Sequence, residues 1–392
     1  MTTSTPFSDA ARWAFSDTQA IPEYLAGALP PLVQAIDGEG LYPREVMIGL
    51  GRLGGFGAVV PVGSTVAVES AAAMENGAAA VVVDPARQLH AIAAVGRHCG
   101  STAFLAWCQS ACAWYLAKAP QEEPRRRYLA SVLDGSLLAG TGMSNFLKHH
   151  AGIEKIRLQA RASADGYVVS GVLPWVSNLD AGHQLFTAAA VEGGGYIMFT
   201  VSTDAPGLAL HPCPEFSGME GTGTWNVRMN EVAVPAGDVL AEPAQFADFI
   251  SAVKPGLVLT QAGMGLGVIG GCLDILEADR TSDNAVNQFL DTDAGDIREA
   301  LIRLENEALR LTALVVAGAA VKLPVLKLRA GVSELSLKAA QSTALHMGAR
   351  GYLMRHPAQR RLREAMFVAI VTPALKHLRK EIHDIEQNRE VA

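Results

Sequence analysis

Apolar residues in the first third of the chain recur at helical intervals. Successive members of one series lie three or four positions apart, the spacing that places side chains on one buried face of an α-helix. The series consists of Leu25, Leu29, Leu32, Val33 and Ile36. The alanine-rich stretch from Ala71 to Val83 is interpreted in the same way. This pattern predicts a mainly α-helical domain over residues 1–134.

The period of the apolar pattern changes to two between residues 135 and 241. Residues 156–162 alternate between apolar and polar side chains, Asp165-Gly166 is a typical hairpin sequence, and the alternation resumes at residues 167–171. The same alternation occurs in two later stretches, residues 196–201 and 225–229. This pattern predicts a compact β domain.

From residue 242 onward the apolar spacing is helical again. Amphipathic stretches run over residues 296–321 and 335–347, and Pro324 between them is expected to break the helix. This pattern predicts a helical domain over residues 242–392. The order of helix, strand and helix therefore predicts an α+β protein of three domains.

Composition and charge limit the possible functions. The chain has 392 residues, of which 49% are hydrophobic, so it can bury a large core. Its formal net charge is −7 and its basic and acidic residues are mixed, which argues against a nucleic-acid partner. The first residues do not resemble a signal peptide, and we judge no apolar stretch long enough to span a bilayer. We therefore expect a cytoplasmic protein without membrane contact.

The cysteine pattern does not indicate a metal centre. The five cysteines form an odd number, and they lack paired metal-ligand spacing. Cys108 and Cys112 lie four residues apart in an apolar stretch. We expect buried free thiols and no metal site.

Several motifs occur in the order and spacing of one enzyme family. Gly348-Ala349-Arg350-Gly351-Tyr352, followed by Arg355-His356-Pro357 and Arg363-Glu364-Ala365, resembles the C-terminal helical signature of the acyl-CoA dehydrogenases. Three more segments resemble the same family, namely residues 40–61 with Gly54-Gly55-Phe56-Gly57, residues 165–178 with Trp175-Val176-Ser177-Asn178, and residues 231–240. The chain is identified as a member of the acyl-CoA dehydrogenase superfamily, which includes the dibenzothiophene-type flavin monooxygenases.

The resemblance implies a fold, a cofactor and partners. The expected α+β fold has an N-terminal α-helical domain at residues 1–134, a central β-barrel-like domain at 135–241 and a C-terminal four-helix bundle at 242–392. The implied cofactor is a flavin, either FAD or FMN. A flavin reductase or an electron-transfer flavoprotein is an implied partner, and the C-terminal helices are expected to assemble a homodimer or homotetramer.

The resemblance also assigns residues to the flavin ring. Trp175 would lie against the isoalloxazine ring, and the Ser177 hydroxyl would lie near its reactive nitrogen. Residues 140–145 occupy the place of the family's Thr-Glu-Pro loop, although the Glu-Pro is absent. Met143 and Ser144 are therefore further candidates, with Ser144 supplying the matching hydroxyl.

The residues that bind the remainder of FAD in the family are partly absent. Arg280 stands where the family has Arg-x-x-Phe-Gly, but the Phe-Gly is missing. Gly348 is retained, while Leu345 replaces a glutamine. Arg280 and Gly348 are candidate cofactor-binding residues. Arg280 has an equal alternative as a solvated charge at a helix end.

The family's catalytic glutamate is missing. Where the family often has Tyr-Glu-Gly-Thr, this chain has Val371-Thr372-Pro373-Ala374. A second family position for the glutamate corresponds to residues 253–257, which contain no carboxylate. Glu364 is expected to be a structural partner of a nearby arginine. A dehydrogenase needs a base that removes the proton alpha to the thioester, so its base would have to be displaced.

These departures leave three hypotheses for the function. The first is a monooxygenase that uses reduced flavin and O2 on a hydrophobic small molecule, for which Leu257, Met264 and Val371 suggest an apolar site lining. The histidines usual in such monooxygenases are replaced here by valines, so the remaining imidazoles are only weak catalytic candidates, and an ordinary surface or packed histidine is the favoured interpretation of each. They are His149, His150, His346 and His356. The alternatives are an acyl-CoA dehydrogenase with a displaced base and a catalytically silent subunit of a heteromeric complex.

Overall fold

The computed structural model describes residues 19–59, 82–279 and 285–390. Its N-terminal part is mainly helical, as the apolar spacing predicted. The prolines at positions 30 and 31 lie in a short 3₁₀ turn that separates the first two helices, while Leu25, Leu29 and Ile36 are buried on both sides of it. The helices are α1 (Ala20–Ala28), α2 (Val33–Gly38), α3 (Arg44–Arg52), α4 (Pro85–His98), α5 (Gly100–Lys118) and α6 (Glu122–Asp134).

A two-stranded ribbon corrects one helical prediction in this region. Strand β1 (Ala58–Val59) pairs antiparallel with β2 (Val82–Val83). The interpretation of residues 71–83 as helical was therefore wrong at its end, where two adjacent β-branched residues form a strand instead. Residues 71–81 lie outside the described residues.

The central region forms an eight-stranded sheet within the described residues. Its strand order is β10-β7-β6-β4-β5-β9-β8, with β3 parallel to β6. One helix, α7 (Met143–His150), interrupts the strands. The strands are β3 (Ala139–Thr141), β4 (Gln159–Ser163), β5 (Gly166–Val176), β6 (Gln184–Val191), β7 (Tyr196–Ser202), β8 (Leu208–Pro212), β9 (Trp225–Pro235) and β10 (Val239–Ala241).

The hairpin predicted at Asp165-Gly166 is confirmed. Ser163 of β4 pairs with Gly166 of β5, which places the turn at the predicted dipeptide. Gly166 has a φ of +143°, and a Cβ at this position would lie 2.3 Å from the Val234 carbonyl oxygen. Glycine is therefore required by both the backbone conformation and the close approach of β9.

The C-terminal region contains five helices among the described residues, one more than the predicted four-helix bundle. They are α8 (Phe246–Ala278), α9 (Ala294–Val316), α10 (Lys322–Met347), α11 (Pro357–Ile370) and α12 (Leu375–Glu390). Pro324 does not break a helix but lies in the first turn of α10, where a missing backbone N–H leaves no hydrogen bond unmade. The chain leaves α9 through Gly318, whose φ is +71°.

Helix α8 is the central element of the core. It is long and apolar enough to cross a membrane, so the sequence-based judgement that no segment reaches that length was wrong. Its most apolar window is completely buried by the surrounding protein. Helices α4 and α8 pack with their backbones in contact, because a Cβ on Gly267 would lie 2.6 Å from the Gly96 Cα. The apolar character of α8 is thus explained by its central position.

Candidate functional site

A cleft of about 1550 Å³ lies between the β domain and the helices on either side. It exceeds the range of typical small-molecule pockets, about 300–1000 Å³. Helix α11 presents one face to it with the spacing i, i+3, i+4 and i+7. These four residues are Arg363, Met366, Phe367 and Ile370. The Met366 and Ile370 side chains are 53% and 60% exposed, so this face offers uncovered apolar surface to a ligand.

Trp175 projects into this cleft from the end of β5. The pairing of β5 with β9 shifts register between Leu173 and Val176, and Trp175 has a φ of +57°. Its indole is 62% exposed and meets the Phe216 ring edge-on, with 6.1 Å between the centroids. A left-handed backbone and an exposed indole are both unfavourable without a ligand. This geometry therefore fits a planar group stacked on Trp175, such as the flavin ring.

Ser177 lies two residues further on and begins a chain of hydroxyl groups. The Thr222 hydroxyl donates to the Met219 carbonyl oxygen over 2.7 Å and lies 2.7 Å from Thr224 Oγ1, which is 2.6 Å from Ser177 Oγ. Because a carbonyl can only accept, the chain is polarised from Ser177 toward Met219. Ser177 Oγ is left with lone pairs that can accept a hydrogen bond from a ligand in the cleft.

Met143 and Ser144 are held at the cleft by the start of α7. The amide of Gly142 donates to the Phe186 carbonyl over 2.8 Å, which anchors the loop to the sheet. The Ser144 hydroxyl donates to Thr372 Oγ1 over 2.9 Å. The structure thus brings Met143, Ser144 and Trp175 into the lining of one cleft, together with Ser177.

The segment that contains Thr372 is supported from behind by a buried arginine. Arg329 is fully buried, and its Nε donates to Gln261 Oε1 over 2.9 Å and its Nη2 to the Val368 carbonyl over 2.7 Å. Gln261 in turn donates to the Thr372 carbonyl over 3.0 Å. Burial lowers the pKa of Arg329 to about 10, so it remains charged at neutral pH. This network, which sequence reasoning missed, fixes the backbone on one side of the cleft.

The four sequence-predicted histidines are not among the described residues that line the cleft. His149 Nε2 lies 2.8 Å from the Tyr196 hydroxyl, and the His150 ring stacks on Phe146. His346 Nδ1 lies 2.8 Å from the Ser342 carbonyl oxygen in the preceding turn of its helix, and His356 accepts from the Ala358 amide at the start of α11. Each ring has a structural contact of its own. The imidazole in the lining is His377 of α12, which no motif indicated.

Glu364 has the structural role that was expected of it. Its carboxylate accepts hydrogen bonds from Arg360 over 2.6 Å, from Arg361 over 2.7 Å and from the Gly100 amide over 2.8 Å. Burial alone would raise its pKa, but the two guanidinium groups hold that pKa below its ordinary value. The cluster joins α11 to the start of α5.

Comparisons with known proteins agree with this geometry. The family described as "Acyl-CoA dehydrogenase, N-terminal domain" matches residues 18–136. The chain is 23% identical to the probable acyl-CoA dehydrogenase YngJ of Bacillus subtilis over 65% of each chain. It is 28% identical to cyclohexane-1-carbonyl-CoA dehydrogenase of Geobacter metallireducens over 47% of this chain and 49% of that protein. Residues 18–136 belong to this family, and the relatives support membership of the acyl-CoA dehydrogenase superfamily for the chain.

A solved member of the superfamily has the same fold. Butyryl-CoA dehydrogenase of Megasphaera elsdenii superposes with a TM-score of 0.80 at 16% identity, over 95% of this chain and 98% of that chain. The predicted order of helical, β and helical domains is confirmed by this match. The chain spans about half to two thirds of the length of the curated relatives that it matches.

Neither acyl-CoA dehydrogenase position for a catalytic glutamate holds a carboxylate. Thr372 occupies the first, and its side chain is bonded to Ser144. At the second, Val253 and Leu257 are both buried, and Leu257 lines the cleft. The described lining contains two carboxylates elsewhere, Glu154 and Glu215.

Other predicted positions lie away from the cleft or outside the described part of the chain. Arg280 lies outside the described residues. Gly348 follows the last residue of α10 with a φ of +58° and is not among the described residues of the lining. Met264 was expected to line the cleft but is not among its described lining residues, because its side chain is buried in the protein core and only 1% exposed. Leu257 and Val371 do contribute to the predicted apolar lining.

The cysteines are free, and four of them, Cys99, Cys108, Cys112 and Cys272, are buried. The expectation of buried thiols is confirmed for these four. Burial raises the pKa of Cys272 to about 11, so this thiol is not ionised at neutral pH. No group of three or more potential metal ligands occurs among the described residues.

Proposed function

We propose that this protein is a flavin-dependent oxidoreductase that oxidises an acyl thioester. The observation that carries the proposal is the exposed Trp175, held at a φ of +57° over a large and mainly apolar cleft. The acyl-CoA dehydrogenases among its relatives support the thioester substrate. They favour this alternative over the monooxygenase that sequence reasoning placed first.

The residues present fit a flavin. Trp175 would cover one part of the ring system, and the Ser177 hydroxyl would lie near its reactive nitrogen. Met143 and Ser144, in the first turn of α7, would contact the flavin ring. When bound, the flavin supplies the acceptor for the two electrons removed from the substrate. FAD is the usual cofactor in this superfamily, and FMN is retained as the alternative to be tested.

Glu215 is the residue that we assign to proton removal from the thioester. Glu154 is engaged by Asn145 and Lys148, at 2.7 and 3.1 Å, and both contacts lower its pKa against the effect of burial. Glu215 is exposed, forms no ion pair among the described residues, and adjoins Phe216, the ring in contact with Trp175. It is therefore the carboxylate of the described lining that is both free and next to the ring site.

A monooxygenase remains the second candidate because of one observation. The Ser144–Thr372 hydroxyl pair and the Ser177–Thr224 pair place neutral donors and acceptors in the lining beside Met143 and Trp175. Such a lining suits oxygen chemistry, for which no proton has to be removed from a carbon atom. The substrate would then be a hydrophobic small molecule, and a flavin reductase would be the electron-donating partner.

The protein is also proposed to form a homodimer or homotetramer. Large apolar side chains are exposed at the end of α10 and in the turn that follows it, where a second copy could cover them. They are Leu345, Tyr352, Leu353 and Met354, with exposures of 56%, 84%, 62% and 64%. For the dehydrogenase, an electron-transfer flavoprotein is the proposed acceptor of electrons.

An anaerobic titration tests the proposed function. The purified protein is reconstituted with FAD or FMN, and acyl-CoAs of several chain lengths are added while the oxidised-flavin absorbance is followed. Bleaching supports the dehydrogenase. Flavin binding without bleaching, followed by a hydroperoxide signal after chemical reduction and O2, supports the monooxygenase. A protein that binds no flavin is the silent subunit, and the proposal is then wrong.

A further inference from the structure

The part of the cleft between α7 and α12 has an excess of positive charge. Lys148, Arg157 and Lys376 are cations in its lining, and Glu154 is the carboxylate among them. Lys148 Nζ lies 3.1 Å from Glu154 Oε1, so these two charges compensate each other. Among the described residues, Arg157 and Lys376 form no ion pair within 4 Å. Both side chains are exposed, and neither has a direct ion-pair partner in the described part of the chain.

A buried imidazole nitrogen lies in the same place. His377 Nδ1 is buried and has no hydrogen-bond partner among the described residues. Burial, Lys376 and Lys148 lower the pKa of His377, and Glu154 opposes them. His377 lies in the first turn of α12 and lines the same cleft as Lys148 of α7 and Glu154. A buried polar nitrogen without a partner indicates that a bound ligand would supply the missing hydrogen bond.

Asn145 gives this region a fixed framework. It is only 4% exposed, its Nδ2 donates to Glu154 Oε1 over 2.7 Å, and its Oδ1 accepts from the Arg157 amide over 2.9 Å. The same side chain therefore fixes the carboxylate that balances Lys148 and the backbone that carries Arg157. Asn145 thus fixes the backbone from which the exposed Arg157 side chain extends.

We propose that Lys148, Arg157, Lys376 and His377 form an anion site that binds a phosphate group. The phosphate belongs to the flavin cofactor or to the carrier arm of the thioester, so the proposal rests on the proposed function and deepens it. A phosphate carries up to two negative charges and several acceptor oxygens, which matches two cations without direct ion-pair partners and one unpartnered nitrogen better than a carboxylate does. All four residues belong to one chain, so the site would bind the phosphate without residues from a second subunit.

Binding measurements with matched ligands test the site without reference to turnover. Riboflavin and FMN differ by one phosphate, and FAD adds the adenylate, so their Kd values isolate the cofactor phosphate. Pantetheine and 4′-phosphopantetheine acyl thioesters isolate the carrier phosphate in the same way. The variants are Arg157→Gln, Lys376→Gln and His377→Asn. The matched control is Lys380→Gln, an exposed lysine of α12 that is paired with Asp384 and lies outside the described lining.

The two ligand pairs distinguish the source of the phosphate. If the site holds the cofactor, Lys376→Gln weakens FMN or FAD binding about tenfold or more and leaves riboflavin unchanged, since a charge-assisted hydrogen bond is lost. If it holds the substrate, the same loss appears for the phosphopantetheine thioester alone. In either case the phosphorylated ligand raises the His377 pKa, measured by NMR of the labelled imidazole, and Lys380→Gln changes nothing.

Two results would overturn the anion site. One is that neither phosphate adds affinity to the unmodified protein. The other is that a phosphate adds affinity which all three variants retain, because the phosphate then binds elsewhere. Both results differ from failure of the proposed function, in which riboflavin, FMN and FAD all fail to bind, or in which a flavin binds but no thioester reduces it.

Discussion

The Ser144 hydroxyl donates a hydrogen bond to Thr372 Oγ1 over 2.9 Å, across 228 residues of sequence. Thr372 occupies the position at which many acyl-CoA dehydrogenases have their catalytic glutamate. The threonine at this position cannot act as a base, and its side chain instead joins α7 to the segment between α11 and α12. The side chain of Thr372 is fixed by Ser144, and its carbonyl is fixed by Gln261.

Removing this hydroxyl pair is expected to weaken flavin binding. Thr372→Val keeps the shape of the side chain but leaves the Ser144 hydroxyl without its acceptor, and Ser144→Ala removes the donor. We expect each variant to raise the flavin Kd about 5- to 20-fold, the effect of one hydrogen bond of roughly 1–2 kcal/mol. Quenching of flavin fluorescence measures the Kd. Thr343→Val is the control, because that buried hydroxyl donates to the Ala339 carbonyl in its own helix and is not among the described residues of the lining; a similar Kd change there would remove the assignment.

Trp175 and Trp114 are expected to respond oppositely to substitution by alanine. Trp175 is 62% exposed, so Trp175→Ala should leave the Tm of the flavin-free protein unchanged or higher while weakening flavin binding about tenfold. Trp114 is 4% exposed and donates to the Val253 carbonyl over 3.0 Å, so Trp114→Ala should lower the Tm through a cavity and the loss of this hydrogen bond. Thermal unfolding and flavin titration on the same preparations separate the two effects. A lower Tm for Trp175→Ala would instead identify a packing residue.

Glu215→Gln tests the assignment of the base. The amide keeps the size and polarity of the carboxylate but cannot accept a proton, so the rate of flavin reduction by an acyl-CoA should fall by about 10²- to 10⁴-fold. Flavin affinity should not change. Stopped-flow absorbance measures the rate, and Glu192→Gln, an exposed carboxylate in the turn after β6, provides the control. An unchanged rate in Glu215→Gln would assign proton removal to another group.

Sequence reasoning found the parts of the cleft that are encoded locally. Trp175 lies at the end of β5, a strand that alternation predicts, and Ser177 directly follows it. Ser144 comes shortly after another strand, β3. Short sequence motifs are therefore enough to identify these three residues. Glu215 and His377 carry no such signal, because they reach the cleft from an irregular loop and from the first turn of a helix. Whether a side chain lines a cleft between distant segments depends on packing that periodicity does not describe. The same limit explains why α8 was not recognised as the buried centre of the core.

Glu305 is expected to make the protein less stable above neutral pH. Its carboxyl group is 4% exposed in α9, and burial raises its pKa from 4.5 to about 7, against an opposing effect of Arg97. Because the pKa is higher in the folded state than in the unfolded state, folding is favoured below pH 4.5, and that stabilisation is lost as the pH rises through 7.

The corresponding variant is Glu305→Gln. At pH 8 it should exceed the original protein in free energy of unfolding by roughly 1–3 kcal/mol, and the difference should shrink toward pH 5. Urea unfolding at both pH values measures it. Glu299→Gln, on the exposed side of the same helix, should change stability by less than about 0.5 kcal/mol at either pH. A pH-independent difference for Glu305→Gln would exclude titration of this carboxyl group as its cause.

The contact between α4 and α8 predicts opposite effects for two glycines of one helix. A Cβ on Gly267 would lie 2.4 Å from the Ala93 carbonyl oxygen and 2.6 Å from the Gly96 Cα, so Gly267→Ala must separate the two helices. A Cβ on Gly270 would meet nothing closer than the Arg97 Cγ at 3.8 Å. Gly267→Ala should therefore lower the free energy of unfolding by about 1–3 kcal/mol or more, as overpacked cores do.

Gly270→Ala should be neutral or stabilising, by up to about 1 kcal/mol, because alanine loses less backbone entropy than glycine in a helix. Chemical denaturation of both variants measures the difference, and helix propensity acts equally in both. The difference in free energy of unfolding between the two variants therefore reports the close backbone contact alone. Equal stability of the two variants would mean that α4 can move away from α8 at little cost, and the same contact could not then hold α8 in place behind the cleft.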